Sequence, residues 1–212
     1  KKMLQFITKP SSQYSMPEEA RMALEGGCRW IELSSEGLDQ EENVLKDIAK
    51  EIMPLCEDKE AFLIIDDDVE LVDELKVHGL LMHDNSRGAV MEARERLGAD
   101  AVIGVAVKSA AEAKYLAGLD VDYLEVPVDE TCTDKGAFYS EIVQALTDAN
   151  LDFHVVACGA LQPSDYEAAL KAGCSGVAVS GEIADAENPV EATVEICAAL
   201  DAARKAADAD ML

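Results

Sequence analysis

The sequence predicts a single-domain α/β protein, a (β/α)₈ barrel, and three observations carry that reading. Short β-like runs alternate with amphipathic helical stretches along the chain, several helical stretches close on glycine, and four open on a capping-box pattern. Eight such units in 212 residues match the smallest (β/α)₈ barrels, whereas a doubly wound sheet normally uses roughly five to seven strands.

The first unit joins a strand over residues 3–8 to a helix over 17–25, opened by Ser15-x-x-Glu18 and closed by Gly26-Gly27. The second has a strand at 30–34 and a helix at 41–55 opened by Asp39-x-x-Glu42. In the third, the apolar run 61–66 precedes a short helix at 69–75; in the fourth, a strand at 79–83 precedes a helix at 89–97 that ends on Gly98. The fifth combines residues 101–107 with a helix at 110–117, between Ser109-x-x-Glu112 and Gly118. The sixth has strand 123–128 and helix 137–149. The seventh has strand 153–158 and helix 164–172, between Ser164-x-x-Glu167 and Gly173, and the eighth strand 176–180 and helix 189–206. Glycine suits these helix ends because the left-handed conformation that stops a helix carries no Cβ penalty there. One barrel is expected over 1–206, with 207–212 a polar, frayed tail.

Hydrophobic residues make up 49% of the chain and charged ones 29%, enough for one sizeable core. The 43 acidic against 18 basic residues give a net charge of −25, so neither a nucleic acid nor an anionic membrane is expected as partner. Such a charge is first of all a solvated acidic shell over the outer helices. Six cysteines, spread without a C-x-x-C pair and set among apolar residues, fit a reducing compartment. With no run of about eighteen apolar residues and no signal-peptide core of sufficient length, a cytoplasmic location is expected.

In such barrels chemistry sits on the loops leaving the C-terminal strand ends. That face carries Lys9, then Glu32, Ser34 and Glu36, then Asp66, Asp67 and Asp68, then His83, Asp84 and Arg87. Lys108, the stretch 129–135, Gly159, Ser180, Gly181 and Glu182 complete it. Asp66-Asp67-Asp68 can give Mg²⁺ one or two oxygen ligands, with water and substrate phosphate filling the rest. Equally, Asp67 and Asp68 are acids favoured by the start of the helix that follows. Lys9, Arg87, Lys108 and Lys135 put four of the 18 cations on this face, either to hold a small phosphorylated molecule or to offset neighbouring acids. The loops Cys158-Gly159-Ala160-Leu161 and Ser180-Gly181-Glu182-Ile183 have glycines suited to a backbone phosphate cradle, although Glu182 repels a phosphate unless it points away. Of the histidines, His83 lies at the mouth, His78 in a helix-to-strand connection, and His154 within strand seven as a packed, hydrogen-bonded side chain. No Ser-His-Asp relay, H-E-x-x-H motif or Walker loop is present.

From residue 3 to about 194 the chain resembles the thiamin phosphate synthase and thiazole tautomerase family. Leu63-Ile64-Ile65-Asp66-Asp67-Asp68-Val69-Glu70-Leu71 resembles the family's I-I-N-D-D-V-x-L, and Ile103-Gly104-Val105-Ala106-Val107-Lys108-Ser109 its I-G-x-S-x-H-T. Asp122-Tyr123-Leu124 is similar to A-D-Y-[IV], residues 155–161 to V-V-A-I-G-G-I, and Gly176-Val177-Ala178-Val179 to G-[IV]-A-V. The resemblance implies joining of a pyrimidine pyrophosphate to a thiazole phosphate, with Mg²⁺ on two aspartates and basic side chains on the leaving pyrophosphate. Carried onto this chain, the Asn-Asp pair falls on Asp66 and Asp67, and the second metal aspartate is displaced to Asp84 or absent. The lysine of the family's T-x-T-K loop falls on Lys135, and its threonines on Thr131 and Thr133 with one residue inserted. Lys108 and Arg87 are further phosphate contacts, with Glu32, Ser34, Gly159, Ser180 and Gly181 lining the substrate site.

The chain also departs from the family pattern. Q-L-R-x-K reads Glu32-Leu33-Ser34-Ser35-Glu36, H-[LI]-G-Q-x-D reads Leu81-Met82-His83-Asp84-Asn85-Ser86, and the second glycine of G-G is Ala160. V-S-A-I reads Ser180-Gly181-Glu182-Ile183, the strand-five serine is Ala106, and Glu125 is the acid/base candidate within strand six. Two further readings stand beside the synthase: a non-catalytic paralogue binding a small ligand or partner protein, and a barrel enzyme acting on a less anionic or cationic substrate. Association into a homo-oligomer is left open.

Overall fold

Alternation along the strands builds two cores, one inside the barrel and one beneath the helices. The computed structural model describes residues 4–39, 41 and 43–211. Its parallel strands close in chain order: β1 (Leu4–Ile7), β2 (Trp30–Leu33), β3 (Phe62–Asp66), β4 (Gly79–Met82), β5 (Val102–Ala106), β6 (Tyr123–Val128), β7 (His154–Gly159) and β8 (Gly176–Val179). β8 pairs back on β1 through Leu4↔Val177 and Phe6↔Val179, leaving no open edge. Phe6, Ile31, Leu33, Leu63, Ile65, Ile103, Val105, Leu124 and Val126 are buried in the layer shared with the helices. Ile64, Leu81, Tyr123, Val156, Cys158 and Ala178 fill the barrel interior. Gly104 makes room for the Tyr123 ring, since a Cβ there would stand 2.2 Å from it. The parity that turns Ile7, Trp30, Ile64 and Tyr123 to the interior core turns Gln5, Glu32, Asp66 and Glu125 the same way.

The helices are α1 (Met16–Glu25), α2 (Val44–Asp58), α3 (Val69–Leu75), α4 (Arg87–Leu97), α5 (Ala110–Tyr115), α6 (Lys135–Asp148), α7 (Tyr166–Lys171), α8 (Gly181–Ala184) and α9 (Pro189–Ala209). The Ser15 box forms as expected: Ser15 N–H donates to Glu18 Oε2 at 2.8 Å and Glu18 N–H to Ser15 Oγ at 3.3 Å. At Ser109 the return bond shifts by one residue, with Lys108 N–H donating to Glu112 Oε2 at 2.7 Å. The expected box at Ser164 is replaced: Gln162 N–H donates to Asp165 Oδ2 at 2.7 Å, a 3₁₀ turn covers Pro163–Asp165, and α7 starts at Tyr166. α2 starts later than expected, after Asn43 in a left-handed conformation (φ 75°). Met3, Glu42 and Leu212, which belong to the expected first strand, second box and tail, lie outside the described residues.

Glycine punctuation holds, with φ of 107°, 83°, 80° and 111° at Gly27, Gly98, Gly118 and Gly173. The tail expected to fray from residue 207 is instead helical to Ala209. Ile196, Leu200, Ala203 and Ala207 continue one buried stripe at helical spacing, and that burial carries the helix on. No helix among the described residues is long and apolar enough to cross a membrane.

Candidate functional site

Inside the C-terminal end of the barrel, Glu32, Asp66 and Glu125 are all buried, beside Gln5 and Tyr123. Gln5 Nε2 donates to Glu32 Oε2 at 2.8 Å and lies 3.3 Å from the Tyr123 hydroxyl. Burial raises the Glu32 carboxyl well above the usual carboxylate range, and the neighbouring Glu125 and Asp66 add to it. Burial likewise pushes Asp66 up to about 7 and raises Glu125. Too many acids face too little water, so protons are retained and shared, with Glu32 within hydrogen-bonding reach of both neighbours. Sequence reasoning placed Glu32 and Asp66 on this face and found Glu125 in its strand, but did not find Gln5.

Asp67 sits at the lip with a left-handed backbone (φ 60°), its N–H donating to Leu81 O at 2.8 Å while Asp68 N–H reaches back to Asp66 O at 2.7 Å. That turn aims its carboxylate at His83, whose backbone N–H donates to Oδ1 at 2.8 Å and whose Nδ1 lies 2.7 Å from Oδ2. The hydrogen bond to Asp67 raises His83 to about 9. Burial pushes Asp67 upward, but the bonds from His83 outweigh it and leave the carboxyl below its ordinary value. His78 and His154 lie elsewhere: His78 Nδ1 accepts the Leu63 N–H at 3.0 Å, and His154, exposed rather than packed, is 3.1 Å from Ser175 Oγ.

The four cations read onto this face do not converge. Lys9 pairs with Asp185 at 2.6 Å, and Lys135 with Asp165 at 2.9 Å. Arg87 is turned away as a structural donor, to Tyr115 O at 2.7 Å at the end of α5 and to Ala117 O at 2.8 Å just beyond it. Lys108 is exposed. Lys135 does line a cavity of about 830 Å³ over β6–β8 together with Thr131, Gly159 and Glu182. Thr131 gives both its N–H and its hydroxyl to Asp129 Oδ1 at 2.7 Å, while Thr133 is exposed outside that lining. Gly159 needs to be glycine twice over, with φ 86° and Val128 O only 2.6 Å from where a Cβ would stand.

Local carboxylates occupy the expected backbone cradle. Ser180 N–H donates to Glu182 Oε2 at 2.8 Å, Ser180 Oγ donates to Ile7 O at 2.7 Å, and Asp185 Oδ2 stands 3.0 Å from the Cβ position of Gly181. Ser34 is also spent locally: its N–H donates to Thr8 Oγ1 at 3.2 Å and its Oγ accepts from Glu36 N–H at 3.2 Å.

The ligand set expected for Mg²⁺, Asp66, Asp67 and Asp84, is not brought together. Asp67 is committed to His83, Asp84 Oδ1 accepts Ser86 N–H at 3.0 Å, and among the described residues no three His, Cys, Asp or Glu side chains converge to hold a metal. The oxygen donors are of the type Mg²⁺ takes, which needs only one or two carboxylates when water and substrate phosphate complete its shell.

Residues 4–183 match the family model described as thiamine monophosphate synthase. The chain belongs to that family. The thiamine-phosphate synthase of Bacteroides fragilis is 37% identical over 201 residues, covering 91% of this chain and 97% of that protein. That of Bacteroides thetaiotaomicron is 36% identical over 203 residues, covering 91% and 95%. A solved thiamine phosphate pyrophosphorylase from Pyrococcus furiosus superposes with a TM-score of 0.81 over 95% of this chain and 96% of that one; at 23% identity it shows the shared fold.

Proposed function

We propose that the chain is a thiamin phosphate synthase-type transferase of thiamin biosynthesis, working in the cytoplasm on phosphorylated small molecules. The family match across residues 4–183 carries this reading, and the cavity that gathers Thr131, Lys135 and Gly159 supports it. In the reaction the bond from the pyrimidine methylene carbon to the pyrophosphate oxygen breaks and pyrophosphate leaves with the electron pair. The thiazole nitrogen then forms the new bond to that carbon. Lys135 is the cation on the cavity, and trading Asp165 for a phosphate oxygen keeps its ammonium paired throughout. Gly159 lies on the same cavity, its left-handed φ turning the chain at the end of β7. Glu182, on the same cavity, must release the Ser180 N–H before an anionic oxygen can use it.

The test is pyrophosphate release on mixing the protein with pyrimidine pyrophosphate, thiazole phosphate and Mg²⁺. Release in proportion to protein is expected, with Lys135→Ala lowering kcat/KM by about tenfold or more, as loss of a charge-assisted contact does. No release above a protein-free control, together with no calorimetric binding of the pyrimidine pyrophosphate, overturns the proposal.

A further inference from the structure

We infer that His83 is a positioning residue that competes with a divalent cation for Asp67, so that taking up the ion and releasing the imidazole are one event. The inference rests on the synthase reading for the identity of the ion, Mg²⁺, while the competition is drawn from the geometry around Asp67. One residue already uses both oxygens of that carboxylate: Oδ1 accepts the His83 backbone N–H at 2.8 Å, and Oδ2 stands 2.7 Å from Nδ1 of the ring. The carboxylate has little freedom to turn elsewhere. Its backbone is left-handed (φ 60°), its own N–H donates to Leu81 O at 2.8 Å, and the Asp68 N–H closes on Asp66 O at 2.7 Å.

The two contacts differ in how readily they are given up. The N–H is part of the backbone, and any residue except proline supplies it. The ring is 55% exposed, and among the described residues Asp67 is its only hydrogen-bond partner. Asp67 lines two cavities, a groove of about 870 Å³ shared with Asp66 and Asp68, and one of about 630 Å³ shared with His83, Met82 and Arg96. The ring therefore has open space to turn into, and Asp67, 44% exposed, is reachable from solvent. Mg²⁺ takes one or two carboxylates and fills the rest of its shell with water and phosphate, so release of Oδ2 alone is enough. Because the ring is exposed, its truncation leaves no buried void and falls among surface changes that a fold tolerates.

The test titrates Mg²⁺ calorimetrically into the full chain in about 0.15 M NaCl, where diffuse attraction to the acidic surface is screened. His83→Ala is expected to bind Mg²⁺ about threefold to tenfold more tightly than the unaltered chain, as removal of a half-exposed charge-assisted contact allows, and Asp67→Asn to abolish that gain. His83→Asn, whose Nδ2 falls where Nδ1 stood, should bring the affinity back towards that of the unaltered chain, which mere loss of bulk does not. In the unaltered chain the ¹⁵N resonances of the His83 ring should move in step with Mg²⁺ occupancy, a readout that stands even if a variant fails to fold. Equal affinity in His83→Ala, or a ring unmoved at saturating Mg²⁺, overturns the inference. Weaker binding by His83→Ala overturns it too and makes the ring a ligand. So does a gain that survives Asp67→Asn, which puts the ion elsewhere on the acidic surface, and so does silence from every form. Pyrophosphate release is read separately: tighter Mg²⁺ in His83→Ala with no release keeps this inference and removes the synthase reading, and release with unchanged Mg²⁺ affinity does the reverse.

Discussion

Glu32, Asp66 and Glu125 are too close and too dry to ionise together, and their titration sets a direction for stability. Burial is the first cause that raises each, with Asp66 brought to about 7. The folded state therefore holds protons that the unfolded chain has already released. Stability from this source is fully present below the ordinary carboxylate range and is lost as pH rises through the folded values. His83, raised to about 9, adds stability that is full below its ordinary 6.5 and lost as pH rises through about 9. Asp67, held low by the same half-exposed pair, contributes above its ordinary 3.8 and fails only in acid. From pH 3.8 up to about 7 the buried trio sets the slope, and above 6.5 His83 adds to it in the same sense. The ligand-free melting temperature should fall over that range, and Glu125→Gln should flatten the fall. Parallel slopes for the two proteins would show that these carboxyls are not the titrating groups. The strand parity that places these acids inside was present in the sequence, and it places Gln5, two residues before Ile7, on the same face. Arg87 was not legible, because a long guanidinium can choose carbonyls 28 and 30 residues ahead, and nothing in its local pattern names them.

Strands and helices were legible where their signals are local. β6 and α3 have the bounds the pattern gave, and the glycines at 27, 98, 118 and 173 take the left-handed φ their positions predicted. Misplaced boundaries came from competition among nearby polar groups: Asp165 displaced Ser164 as the organiser of the start of α7, and buried alanines carried α9 past its polar composition. Arg94 shows how elements are tied beyond any local signal. From the end of α4 it donates to Gly98 O at 2.9 Å, Ala101 O at 2.6 Å and Asp120 O at 2.9 Å, and pairs with Asp122 at 2.9 Å. Its side chain is only 14% exposed. Arg94→Ala leaves these carbonyls short of a donor just before β5 and β6, and should lower unfolding free energy by about 2–4 kcal/mol in urea titrations. A loss within about 0.5 kcal/mol, the range of an ordinary surface change, would mean that water replaces the guanidinium without penalty.

For the whole molecule, closure removes sheet edges, while the net charge of −25 works against compactness. The cations are largely spoken for: Lys9 and Lys135 each hold one carboxylate, and Arg96 and Lys171 two each. The remaining acids repel one another across a body whose radius of gyration should be about 17 Å for this length. At about 0.01 M salt the Debye length is about 30 Å, so all of them interact; at about 0.15 M it is about 8 Å, and only neighbours do. Unfolding spreads the charges apart, so low salt favours the unfolded chain. Exposed ion pairs act in the opposite sense, but each contributes only about 0–1 kcal/mol and is weakened by the same screening. The repulsion should win, and the melting temperature should rise by several degrees between about 0.01 and 0.15 M NaCl, at about 2–4 °C per kcal/mol for a domain of this size. A fall over that range, measured at pH 7, would mean that the ion-pair network outweighs the acidic excess.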